Sequence, residues 1–187
     1  MATRSPRRAG RLVILTGPAI RQAVENHKVR IDPFDPNRLS SNAYDWSLHD
    51  ELWQCPPVLD AAKPTSYTRV LFGPRGVVLE PGVLYLGRTR EFTASEVYAQ
   101  RLYGCQDVGA LGIWVHISAP LGHQGHAIAW TLEIRVVHPV RVYPSQTFGK
   151  LTFHTVSGDL ASYQELGSKY RSSNGIDTSR LWEELAS

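Results

Sequence analysis

WTLEIRVVHPVRVYPSQTFGKL, running from Trp130 to Leu151, sets the plan of the chain. Ile128, Trp130, Leu132, Ile134 and Val136 recur at every second position. That period predicts a half-buried strand over Ala127 to Val137. Glu133 falls on the opposite face, where it meets either solvent or a pocket built against the strand. A carboxylate walled by a cavity can take a proton and return it, whereas one on an edge strand only solvates the surface. The rest of the sequence has to decide between these readings.

Working outward, Val140 to Tyr143 and Gly149 to Val156 read as the next strands, and Gly112 to Ser118 as the preceding one. Val77 to Leu79 leads through Glu80-Pro81-Gly82, a tight turn, into a strand over Val83 to Leu86. Asn42 to Leu52 alternates through Tyr44, Trp46 and Leu48, with Asp45 on the other face. Nearer the start, Thr16 precedes Gly17-Pro18 and an Ala-Ile-Arg-Gln-Ala-Val run, the pattern of a capped helix ending near His27. Val29 to Ile31 is a further strand, followed by the Asp-Pro turns of DPFDPN, and Cys55 to Ser66 is a proline-rich loop. Many short strands behind one front helix predict a mainly β barrel or sandwich rather than a doubly wound sheet.

At 187 residues the chain fits one domain with a sizeable core. Its net charge of +3 owes much to Arg4, Arg7, Arg8 and Arg11, so residues 1–11 read as a disordered basic leader, with the body over 12–166 and an arm over 167–187. No basic patch interleaved with aromatics argues for nucleic acid, and no apolar run of about eighteen residues argues for a membrane. A cytoplasmic protein with reduced thiols is expected, because Cys55 and Cys105 are far apart and lack CxxC spacing. His123 and His126 have a metal-like spacing without an evident third ligand, so no metal site is expected. Phosphate loops, a GxSxG elbow and the zinc-deaminase signature are all missing. Lys169, Arg171 and Arg180, among the small residues of GSKYRSSNGIDTSRLWEEL, offer cations suited to phosphate oxygens.

Read in order, several of these segments resemble the deoxycytidine triphosphate deaminases, which share the deoxyuridine triphosphatase fold. LTGPAIRQAVENHKVRIDPFDPNRLSSNAYDWSLHD resembles their opening helix, strand and Asp-containing strand, with Asp45 on that aspartate. LEPGVLYLGRTREFTASEVY is similar to their PG turn and strand, GIWVHISA to their VHVTA strand, and TLEI to their catalytic LEF or LEL. GSKYRSSNGIDTSR is similar to their phosphate-covering arm. The resemblance runs from about Leu12 to Arg180 with its order preserved.

It implies a distorted jelly roll or β-barrel and a homotrimer with pockets between subunits that bind a pyrimidine nucleotide. It also implies zinc-independent deamination of a cytosine (deoxy)nucleotide. Glu133 becomes the base and acid on a bound water, with His116 and Ala119 shaping the water site. Gln106, Asp107, Ala127, Ile128, Thr131, Lys169, Tyr170, Ser179 and Arg180 take the substrate-binding positions. Backbone groups from Ala127 to Thr131 would grip the base edge. No cofactor is implied for the chemistry, and magnesium accompanies a phosphorylated substrate.

The chain departs from the family pattern at Gly104 to Ala110, where GCQDVGA replaces GRSSLAR. Cys105 and Ala110 stand for two arginines, and Gln106 and Asp107 for two serines. Each lost charge-assisted contact is worth roughly 1.5–3 kcal/mol, so such a site should bind triphosphate poorly. Leu121 to Gly125 replaces the usual aspartate-proline-glycine, and Ser173-Asn174 replaces the arm's glutamine. No acid lies between Asp107 and Glu133, which removes the aspartate that deoxyuridine triphosphatases use to activate water. A non-catalytic nucleotide-binding homologue and a nucleotide hydrolase of the same fold are the alternatives.

Overall fold

The computed structural model describes residues 13–117, 119–158, 169–170 and 172–185. The expected leader, Leu12, Ser118, residues 159–168 at the end of the body and the start of the arm, Arg171 and residues 186–187 lie outside the described residues.

Helix α1 (Gly17–Glu25) starts where the sequence predicts, with the Thr16 hydroxyl accepting the Ala19 N–H and Pro18 in the first turn. It buries Ile20 and Ala23 against the body and stops before His27, which turns the chain at φ 56°. Gly17 packs so closely on the Ser40 carbonyl that no Cβ fits there.

Among the described residues twelve strands form: β1 (Arg30–Asp32), β2 (Tyr44–Gln54), β3 (Thr68–Leu71), β4 (Val77–Leu79), β5 (Tyr85–Ala94), β6 (Tyr98–Gly104), β7 (Ile113–Trp114), β8 (Leu121–Gly122), β9 (Ala127–Val136), β10 (Val140–Val142), β11 (Thr147–Thr155) and β12 (Ser172–Ser173). A five-residue helix, α2 (Gln106–Ala110), interrupts them. The principal sheet has the order β12-β9-β5-β2-β11-β6-β8, with β1 on β5, β3 on β2 and β7 on β9, while β10 and β4 form a separate pair. The sheet curls around a core that includes Tyr44, Trp46, Leu48, Leu132, Ile134, Leu151 and Phe153. The expected mainly β architecture is therefore the one observed.

Four elements differ most from expectation. Of the strand expected over Val83 to Leu86 only Tyr85 and Leu86 belong to a strand, as the head of the ten-residue β5; the strand expected over Gly112 to Ser118 shrinks to Ile113–Trp114; and β6 and α2 carry no apolar period that announces them. The cause of the first is a polar interior. Thr89, Glu91 and Thr93 all point inward and are buried. Their bonds are internal: Trp130 N–H donates to Thr89 Oγ1 at 2.9 Å, Trp130 Nε1–H to Thr93 Oγ1 at 2.9 Å, and Thr93 Oγ1–H to Gln100 Oε1 at 2.7 Å.

Gly149 lets β11 cross Trp46. A Cβ there would strike the Tyr103 carbonyl oxygen and the Trp46 ring, the pair joined by the Trp46 Nε1 hydrogen bond of 3.1 Å. Gly149→Ala is expected to cost about 3 kcal/mol, at the upper end for overpacking, and urea denaturation would measure it.

Register fixes which side chains share a face. Trp53 of β2 faces Leu86 of β5, and Leu86 faces Glu133 of β9; one step along, Arg88 of β5 faces Thr131 of β9. Facing residues project to the same side of a sheet, so Leu86, Arg88, Thr131 and Glu133 share one face.

Candidate active site

Glu133 sits on the outward face of β9, as the alternation predicts, because Leu132 and Ile134 on either side are fully buried. Its own N–H donates to the Val115 carbonyl at 3.1 Å, which brings the chain after β7 alongside. That chain delivers two donors to one carboxylate oxygen. Ile117 N–H reaches Glu133 Oε2 at 2.9 Å, and His116 Nδ1 lies 3.0 Å from the same atom. A carboxylate oxygen that already receives the Ile117 N–H accepts, so the imidazole donates to it through Nδ1. His116 Nε2 is buried without a hydrogen-bond partner among the described residues. The ring also stands edge-on to Trp130, with centroids 6.3 Å apart.

Around this pair is a cavity of about 540 Å³. Its walls include Ala119 and His126 from the chain before β9, Ile128, Ala129 and Thr131 of β9 itself, Leu86 of β5, and Cys55 and Tyr67 from the far side. The C-terminal arm supplies Tyr170, Asp177, Thr178 and Ser179. The arm is docked here: β12 runs parallel to β9 beside Ala127 and Ile128, Asp177 N–H donates to Thr131 Oγ1 at 2.8 Å, and Ile176 packs with Cys55 and Leu86. Tyr170 braces it by donating to the Thr178 carbonyl at 3.2 Å and accepting the Arg180 N–H at 2.9 Å.

Of the residues singled out in the sequence, Glu133, His116, Ala119, Ile128, Thr131, Tyr170 and Ser179 thus line one cavity, and Ala127 holds the arm beside it. Four others lie elsewhere in the chain. Gln106 and Asp107 stand on α2, outside the walls of this cavity. Lys169 pairs with Glu184 at 2.6 Å, and Arg180 with Glu183 at 2.6 Å, so both cations are turned to the arm's own acids. Asp177 and His126 were not anticipated. Asp177 sits in a polar stretch with no period, and His126 stands out in the sequence only for its metal-like spacing from His123. Burial raises the Asp177 carboxyl above its ordinary range, with the Ser173 hydrogen bond and Arg180 opposing.

Burial, and secondarily the neighbouring His123, lowers His126 to about 4, so the ring is neutral at neutral pH. Its unfolded counterpart takes up a proton near 6.5. Stability from this group is therefore complete above pH 6.5 and is lost as pH falls toward 4, by on the order of 3 kcal/mol. His49 and His154 are lowered too, first by burial, and act in the same direction. The expected result is a melting temperature that falls between pH 6.5 and 4, less steeply in a His126→Gln variant.

Among the described residues no group of three or more His, Cys, Asp or Glu side chains is placed to hold a metal ion, the cavity's histidines included. No helix among them is long and apolar enough to cross a membrane.

Residues 14–156 match the family model of dCTP deaminase-like proteins. The chain belongs to the dCTP deaminase-like family. A dCTP deaminase of Rhodopirellula baltica is 42% identical over 175 residues, covering 93% of this chain and 87% of its own length. A dCTP deaminase described as dUMP-forming, from Cytophaga hutchinsonii, is 38% identical over 174 residues and is covered over 99% of its length. The solved structure of 2'-deoxycytidine 5'-triphosphate deaminase from Agrobacterium tumefaciens shares this dCTP deaminase-like fold with a TM-score of 0.63 at 18% identity, over 80% of this chain. The chain spans 49% of that protein's length.

Proposed function

We propose that the protein deaminates a cytosine deoxynucleotide, with Glu133 as the group that moves protons. The observation that carries the reading is Glu133 itself, a carboxylate in a walled cavity with Ile117 N–H and His116 Nδ1 both on Oε2. Its relatives, named as dCTP deaminases along nearly the whole chain, supply the substrate class. Glu133 would take a proton from a water set beside C4 of cytosine, and the hydroxide would add to the ring. The protonated carboxyl would then give that proton to N3, take the second proton from the new C4 hydroxyl and pass it to the departing amine, which leaves as ammonia as the C4 carbonyl forms, so one group serves twice as base and twice as acid. His116 holds the carboxylate in place through Nδ1 and presents Nε2 to the cavity wall. The chemistry proposed here needs no zinc, and any magnesium would arrive with the phosphates.

The test is ammonia release by the purified protein from dCTP, dCMP, CTP, CMP and deoxycytidine. Release from at least one is expected, and silence on all five would remove the assignment. The second reading, a nucleotide-binding homologue without turnover, draws on Cys105 and Ala110 standing where the family carries arginines. In that case a nucleotide would raise the melting temperature while no ammonia appeared. For the dUMP-forming relatives the product includes dUMP, so chromatography of the products also reads whether phosphate hydrolysis follows.

We extend the proposal to a homotrimer. Leu111, Trp114 and Ile117 are large apolar residues more than half exposed beside α2, a surface that assembly would cover. Sedimentation equilibrium should give three times the chain mass, and Trp114→Glu should shift it toward the monomer.

A further inference from the structure

The outward face of β5 carries Arg88, Arg90 and Phe92 at alternate positions, because Thr89, Glu91 and Thr93 occupy its inner face. Arg30 of the adjoining β1 lies over the Phe92 ring, 5.1 Å from its centroid. Together with His49 and Asn174 these side chains line a second cavity, open to solvent and about 520 Å³ in volume. Three guanidiniums line it against one carboxylate, Asp32, which Arg30 engages at 2.8 Å. Glu51 holds Arg88 Nε at 2.9 Å, Arg88 Nη2 lies 2.6 Å from His49 Nε2, and Arg90 Nη1 donates to Ser145 Oγ at 2.8 Å. Asp50 in turn lies 2.8 Å from His49 Nδ1. Each guanidinium has five donors, so most of the cluster's donors remain for a ligand. Planar forks of this kind fit phosphate oxygens two at a time.

The position is as telling as the charge. Arg88 faces Thr131, which lies two residues before Glu133 on the same face of β9. The arm forms a common wall: Asn174 lines the arginine cavity, while Asp177 lines that of Glu133. We propose that the cavity of Arg30, Arg88 and Arg90 binds phosphate groups. They belong either to the tail of the nucleotide whose base lies near Glu133, which rests on the deaminase reading, or to a separate polyphosphate.

Calorimetric titration of the full chain with inorganic tripolyphosphate at low salt tests the site. Binding is expected, and it should weaken at least tenfold in Arg90→Gln and in Arg30→Gln, two exposed positions whose variants can be checked for fold by circular dichroism. No binding, or the same affinity in both folded variants, overturns the proposal. The source follows from competition. Tripolyphosphate that displaces bound dCTP identifies the nucleotide tail, and tripolyphosphate that binds alongside dCTP identifies a separate ligand. Both outcomes support the site. Absence of ammonia release would remove the deaminase reading while leaving the tripolyphosphate affinity and its arginine dependence intact, so the two failures are distinguishable.

Discussion

Glu133→Gln is expected to lower turnover of a cytosine nucleotide by about 10²–10⁴-fold, the range that a positioned acid–base group supplies. The amide keeps the shape of the carboxylate and can still accept the Ile117 N–H now directed at Oε2. What it loses is the capacity to take a proton from water and carry it to the ring. Glu133 is half-buried on the cavity wall rather than in the core, so the melting temperature should change little. A variant that is slow and equally stable, with nucleotide affinity retained, separates loss of chemistry from loss of structure.

Glu91→Ala is expected to act in the opposite sense, on stability first. Glu91 is 2% exposed and holds the start of β2: its Oε2 accepts the Ser47 N–H at 2.9 Å and its Oε1 the Ser47 hydroxyl at 2.8 Å, with Arg38 Nη1 3.9 Å from Oε1. Truncation would strand a buried N–H and hydroxyl and remove the carboxylate nearest Arg38. Breaking a buried charge network costs about 3–5 kcal/mol, which for a chain of this size lowers the melting temperature by roughly 10 °C or more. Glu91→Gln keeps one acceptor and the volume and should lose less than half as much. Thermal melts of both variants measure the effect.

These two glutamates show what can be read from the sequence and what cannot. Glu133 announces itself because its strand alternates cleanly, with Leu132 and Ile134 buried on either side. Glu91 does not. Its strand turns Thr89, Glu91 and Thr93 inward, where they are satisfied by Ser47, Gln100 and Trp130, so the apolar period vanishes and only the short head of β5 is legible. The arm shows the same limit on a smaller scale. Its composition suggests cations held out to phosphate, yet Lys169 and Arg180 spend their charge on Glu184 and Glu183, while Tyr170 and Ser179 reach the cavity. Pairing across the sheet, which no local pattern encodes, is also what brings Arg88 alongside Thr131 and collects the three arginines into one cavity.

The account rests on a carboxylate that His116 and the Ile117 amide hold in position to work on a cytosine ring. A single-turnover experiment with excess protein and the cytosine nucleotide that releases ammonia most readily, run on the wild type and on Glu133→Gln, tests this most directly. Uracil nucleotide should form in the wild type and at least a hundredfold more slowly in the variant, with the nucleotide bound by both. Equal rates in the two proteins would contradict it.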